Sequence, residues 1–208
     1  SVVGKAIEQT NVRIAETRQI TVPLLQPSES TDIFLSTKFI GGYGWLFPKR
    51  TVANIGLGLL PDYKHCLKPL LADLHRDLVA SERVGETVSH HTGGAIPVGG
   101  MLKPYGFLGE TTVLLAGDAA GLTNPMTGAG INAAIVSGRL AGQSAVEVLA
   151  ANFDACEDYQ EELEDLFKPS LDRALKRRKA LLGHYRNGMP NGAQLRQNWI
   201  AYPEYWAA

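Results

Sequence analysis

A carboxylate set among glycines is the first feature of chemical interest in this 208-residue chain. Asp118 follows Gly117, and Gly121, Asn124, Pro125, Thr127, Gly128, Ala129 and Gly130 follow within the string GDAAGLTNPMTGAGINAA. An acidic residue at a strand end can accept hydrogen bonds from a sugar-like hydroxyl. Glycines let the backbone come close to a ligand, and the first N–H groups of a following helix are unpaired and partly positive. Together they suit a ligand oxygen or a developing anion. A second group is aromatic. Tyr43, Trp45 and Phe47 alternate ahead of Pro48, so on a strand the three share one face. Such a face can be ordinary core. It can also be an apolar wall, with the Tyr43 hydroxyl as a polar handle.

These groups need elements to hold them. Val113-Leu114-Leu115-Ala116 is an apolar run of the kind a buried strand makes, and Gly117-Asp118 ends it. Ile131, Ala134, Ile135, Gly138 and Ala141-Gly142 recur at three and four, which predicts a helix from about 130 to about 150. The order is strand, acidic turn, glycine-rich loop, helix. Upstream, residues 12–25 predict one or two strands, 33–40 another, 43–48 a further one, and 52–60 a returning strand after a turn at Lys49-Arg50. That succession predicts an antiparallel sheet rather than βαβ units. Leucines 67, 70, 71, 74 and 78 predict a helix over 62–80, with Pro69 bending it or delaying its start. Residues 86–96 predict a strand and 103–109 a loop. The acidic run 154–166 and the basic run 173–179 predict one or two helices around Pro169, their charge order suiting the helix dipole.

Bulk properties narrow the function. A net charge of −1 advertises no nucleic-acid surface. Cys66 and Cys156 stand far apart and form no metal-ligand spacing. His90 and His91 are adjacent, so on a strand they face opposite ways and make no joint metal site. No apolar run approaches the roughly 18–20 residues that cross a bilayer. The expectation is a cytoplasmic protein with no metal, and the basic residues 176–179 leave peripheral membrane association open.

The string GDAAGLTNPMTGAGINAA resembles the second flavin-binding motif of FAD-dependent oxidoreductases built like para-hydroxybenzoate hydroxylase. Within that group Tyr43-Gly44-Trp45-Leu46-Phe47-Pro48 is similar to the Y-x-W-x-F-P motif of the geranylgeranyl reductase family. The run Gly93 to Gly100 is similar to that family's G-x-I-P segment. The resemblance covers most of residues 31–149. It implies an α+β chain, part of an α/β FAD-binding fold. Residues 1–100 would form an antiparallel-sheet substrate domain, 101–150 the C-terminal part of an FAD-binding domain, and 151–208 a helical segment and tail. No G-x-G-x-x-G loop for the ADP half of FAD is found. Ser1-Val2-Val3-Gly4 resembles the segment just after the family's internal D-G motif, so the expectation is the C-terminal part of a longer flavoprotein.

The resemblance also implies roles. Gly117 and Asp118 would bind FAD, Asp118 through the ribityl chain. The backbone of Gly128, Ala129, Gly130 and Ile131 would meet the flavin's pyrimidine edge. Pro125 and Thr127 would shape the loop, and Ile96 and Pro97 would border the isoalloxazine. Tyr43, Trp45, Phe47 and Pro48 would line the substrate cavity, with Tyr43 a candidate proton donor. The implied reaction is hydride transfer from reduced FAD to an isoprenoid double bond, with NAD(P)H or a protein as electron donor. Two other readings stand beside it: a flavin monooxygenase or halogenase of the same fold, and a non-catalytic lipid-binding fragment.

Overall fold

The computed structural model describes residues 1–152 and 154–207. In chain order the elements are α1 (Val2–Ala6), β1 (Ile14–Pro23), β2 (Asp32–Phe34), β3 (Gly44–Lys49), β4 (Val52–Leu59) and a 3-10 turn (Pro61–Cys66). There follow α2 (Leu67–Ala80), β5 (His90–Pro97), β6 (Tyr105–Leu108), β7 (Thr111–Leu114) and a second 3-10 turn (Gly117–Ala120). The chain closes with α3 (Ile131–Leu149), α4 (Ala155–Arg186), α5 (Gly192–Gln197) and α6 (Pro203–Trp206). These are mixed helices and largely antiparallel strands, an α+β fold. They form two compact units: Ser1–Ile14 with Ile96–Arg178, and Ala15–Ala95 with Lys179–Ala208. Each unit joins two separated stretches of the chain.

The sheet unit has strand order β2-β3-β4-β1-β5. The β1–β4, β2–β3 and β3–β4 pairs are antiparallel. Alternation sends Ile20, Val22, Leu46, Ile55 and Leu57 to one face, where they meet Leu67, Leu71, Leu74 and Leu78 of α2 in a single core. The helical spacing of those leucines makes the stripe that this face needs. The helix starts at Leu67 rather than 62, after the 3-10 turn. Pro69 therefore falls in its first turn, where a missing N–H costs nothing. The strand expected over 33–40 shrinks to Asp32–Phe34. Beyond it the chain turns, with Phe39 N–H donating to Ser36 O and Gly42 N–H to Phe39 O. β5 is the last strand in the order, and its residues His90 to Ala95 are exposed.

In the other unit β6 and β7 form a hairpin, so 103–109, expected as a loop, contains a strand. Gly109 at φ +61 supplies the positive φ for the two-residue turn at Gly109-Glu110. The strand expected over 113–116 is Thr111–Leu114, and Leu115 and Ala116 run on from it. The core joins Ile7, Leu115, Leu122, Ala133 and Leu140 to Tyr159, Leu163 and Leu171 of α4. α4 is one helix with Pro169 inside it. Among the described residues no helix is long and apolar enough to cross a membrane.

Candidate functional site

The acidic turn is held by groups distant in sequence. At Gly117 the backbone reaches φ +52 and passes so close to α3 that an added Cβ would lie 2.9 Å from the Ala134 Cβ. The Gly117 N–H donates to Ser137 Oγ at 2.9 Å, and that hydroxyl donates to Ala133 O at 2.6 Å. The Tyr159 hydroxyl donates to Leu115 O at 2.7 Å and lies 3.3 Å from Ser137 O, tying the chain after β7 to α3. Tyr159 is 1% exposed. Burial pushes its hydroxyl up to about 12, so it stays a donor at neutral pH. Tyr159→Phe strips a buried carbonyl of its donor. The expected loss is about 1–3 kcal/mol of stability, read as a lower urea midpoint at unchanged slope.

Asp118 projects to solvent, yet its carboxylate is oriented. Oδ1 accepts from Thr123 Oγ1 at 2.5 Å, and the Asp118 carbonyl accepts from Asn11 Nδ2 at 3.1 Å. Gly130 packs against it, because a Cβ there would fall 2.8 Å from Asp118 Oδ1. The loop closes on Asn124. Its Oδ1 accepts from the N–H groups of Met126 and Thr127 at 3.0 Å each, and its carbonyl accepts from Gly128 N–H at 2.9 Å. Ala129 N–H donates to Thr127 Oγ1 at 3.3 Å. Two of the expected ligand-facing N–H groups, those of Gly128 and Ala129, are therefore engaged within the loop. The N–H groups left by the start of α3 begin at Gly130, its N-cap, which provides no capping side chain.

Six of the ten residues expected to bind cofactor come together on one cleft of about 510 Å³: Ile96, Gly117, Asp118, Gly128, Gly130 and Ile131. Ala116, Ala119 and Ala134 complete it. Pro125, Thr127 and Ala129 lie in the same loop, and Pro97 follows Ile96 on β5. A larger open groove of about 1080 Å³ on the sheet unit, lined by Arg18, Lys64, Lys68 and His91 among others, contains none of the expected site residues.

On the sheet unit the aromatic group is also assembled. Trp45 pairs with Gly56 across β3 and β4, and its ring occupies the space a Cβ on Gly56 would need. The indole N–H donates to Gln19 Oε1 at 3.0 Å. Ring centroids of Tyr43 and Trp45 are 5.7 Å apart, and those of Trp45 and Phe47 5.9 Å, nearly parallel at 18°. Trp199 adds a fourth ring, edge-on to Tyr43 at 4.6 Å. Strand alternation places Pro48 on the opposite face of β3 with Leu46, so it does not share the aromatic face. Burial pushes the Tyr43 hydroxyl up to about 12, so at neutral pH it holds its proton.

No family model matches the chain. A digeranylgeranylglycerophospholipid reductase of Methanocella arvoryzae is 35% identical to it over 154 residues, which are 71% of this chain and 38% of that protein. Over that stretch the chain is similar to the digeranylgeranylglycerophospholipid reductases. It spans about two fifths of the length of the curated relatives it matches. The crystal structure of a geranylgeranyl bacteriochlorophyll reductase-like protein from Thermoplasma acidophilum, 25% identical, superposes with a TM-score of 0.72 over 83% of this chain and 44% of that one. A flavin-dependent brominase, 13% identical, shares the fold with a TM-score of 0.59 over 95% of this chain and 55% of its own.

Several residues of this chain carry no sequence signal that would have marked them. Ser137 and Tyr159 sit in ordinary helical positions, and Gln19 and Trp199 lie far from any motif. Thr123 is marked by no such signal, whereas Asn124 stands among the turn-forming residues of the glycine loop. The basic run 173–179 is no uniform surface patch, since Arg177 and Arg178 are buried. Arg178 Nη1 donates to Pro125 O at 3.1 Å.

Proposed function

We propose that the chain is part of an FAD-dependent oxidoreductase that reduces isoprenoid double bonds of a lipid substrate. The observation that carries the reading is the cleft formed by the acidic turn, the glycine loop and the start of α3. Its residues fit a flavin nucleotide. Gly117 and Gly130 let the acidic turn, α3 and the Asp118 carboxylate pack closely at its edge, that carboxylate is oriented by Thr123, and the helix start is uncapped. Asp118 would accept from a ribityl hydroxyl. The N–H groups from Gly130 onward, at the positive end of α3, would stabilise negative charge on the flavin's pyrimidine edge. Ile96 and Pro97 would border the ring, and Pro125 and Thr127 would hold the loop beside it. Bound FAD supplies hydride chemistry, and the chain's own residues place the reactants.

On the sheet unit Tyr43, Trp45 and Phe47 would wall a cavity for the isoprenoid chain. Tyr43 keeps its proton at neutral pH and is the candidate donor that completes saturation of the double bond. NAD(P)H or a protein would supply the electrons. The reading supports a cytoplasmic protein that meets its lipid substrate at a membrane surface.

The deciding experiment loads the full-length protein with FAD, reduces it without oxygen and adds a geranylgeranyl lipid. Reoxidation of the flavin with saturation of the lipid is expected. Reoxidation by oxygen with hydroxylated or halogenated product, and none by the alkene, would assign the protein to the oxygenase side of this fold. Trp45→Ala is expected to raise KM for long prenyl substrates about tenfold or more, as loss of a large apolar contact area does, with FAD occupancy unchanged. Flavin loss with intact substrate handling would remove Trp45 from the cavity wall.

A further inference from the structure

We propose that Arg178 is the positioning residue of the flavin loop and the buried positive charge that favours the reduced cofactor. The inference rests on the FAD reading above. α4 carries Arg178 into the interior of its unit, where it is 7% exposed. Nη1 donates to Pro125 O at 3.1 Å, while Nη2 has no hydrogen-bond partner among the described residues. No ion pair among the described residues includes it. Burial lowers the guanidinium to about 10, which still leaves it charged at neutral pH.

A buried cation is ordinarily paired with a carboxylate, because taking a charge out of water is expensive. Here the guanidinium faces a backbone carbonyl of the loop Asn124 to Gly130. That loop is otherwise closed by the Asn124 side chain and ends at Gly128 and Gly130 on the cleft. The bond to Pro125 O thus fixes the loop from behind. The uncompensated charge is a standing preference for negative charge nearby, and a reduced flavin carries more of it than an oxidised one. The start of α3 acts in the same direction. Sequence separation hides the arrangement, since the partners are 53 positions apart.

Two variants of the full-length holoprotein separate position from charge. Arg178→Gln keeps a donor for Pro125 O and drops the charge. Arg178→Lys keeps the charge and loses the planar fork. The readouts are the affinity for oxidised FAD, the flavin midpoint potential and the thermal stability of the FAD-free protein. In Arg178→Gln the preference for reduced over oxidised flavin is expected to fall about tenfold, a drop of about 30 mV for a two-electron couple. Arg178→Lys is expected to restore the potential while binding oxidised FAD several-fold more weakly than the parent. If Arg178→Gln keeps the parental potential and loses only stability, Arg178 is merely structural and the proposal is overturned. Should Arg178→Gln not fold, Arg178→Lys decides: a potential as low as that of unbound flavin overturns the proposal, and a parental one supports it. A parent protein that takes up no FAD overturns the underlying reading instead.

Discussion

An alanine at position 117 is expected to destabilise the unit that holds the cleft by about 2–5 kcal/mol. Two costs combine. The backbone there sits at φ +52, a region that an L-residue with a Cβ enters at about 1–2 kcal/mol. The new methyl would also lie 2.9 Å from the Ala134 Cβ on α3, and overpacking of that kind costs about 1–3 kcal/mol. Equilibrium urea unfolding of the parent, Gly117→Ala, Ala134→Gly and the double variant gives the test as a cycle. The steric part should appear as coupling between the two positions, and the dihedral part should persist in the double variant. A parental midpoint for Gly117→Ala would mean that the turn opens freely and that its glycine is not required.

The second large effect falls on cofactor binding. Asp118→Ala in the full-length protein should weaken FAD binding about 10- to 100-fold, the worth of a hydrogen bond to a charged group at about 1.5–3 kcal/mol. The loss should be seen in the cofactor content of the purified protein and in a fluorescence titration with added FAD. Apo stability should fall by only about 1 kcal/mol, because the deleted side chain is exposed and only the buried Thr123 hydroxyl loses its acceptor. Asp118→Asn, which keeps an acceptor oxygen without the charge, should fall between parent and alanine variant. Unchanged occupancy in Asp118→Ala would take the ribityl role away from this residue.

Much of the fold was legible because its signals are local. Leucines at helical spacing marked α2, and the run of short β-branched segments marked an antiparallel sheet. The misreadings have physical causes. Residues 103–109 read as a loop because four residues are too few to show alternation, yet they pair with Thr111–Leu114 once both are present. α3 is legible as a helix, but Ile131 and Ile135, prominent in its apolar spacing, are 82% and 68% exposed. Its inner side is Ala133, Ser137 and Leu140. Small residues face inward because the acidic turn passes too close for large ones, a constraint that hydropathy does not record. Pro48 belongs with the aromatic residues by motif, whereas strand alternation separates it from them.

By itself the sequence marked the glycine-rich loop where the backbone can bend tightly, which carboxylate stands beside it, and which aromatic residues share a strand face. Positive φ and two-residue alternation are properties of neighbouring residues, so they can be read along the chain. The tertiary structure alone decided what holds those groups in place. Gly117 is held by Ser137 from 20 residues away, the end of β7 by Tyr159 from 44, and Pro125 by Arg178 from 53. In each contact the partner on α3 or α4 is an ordinary-looking helical position, and the contact exists only because α3 and α4 pack their small and polar residues against the turn and the loop. Burial then turns Tyr159 into a fixed donor and Arg178 into an unpaired charge, neither of which has any local trace.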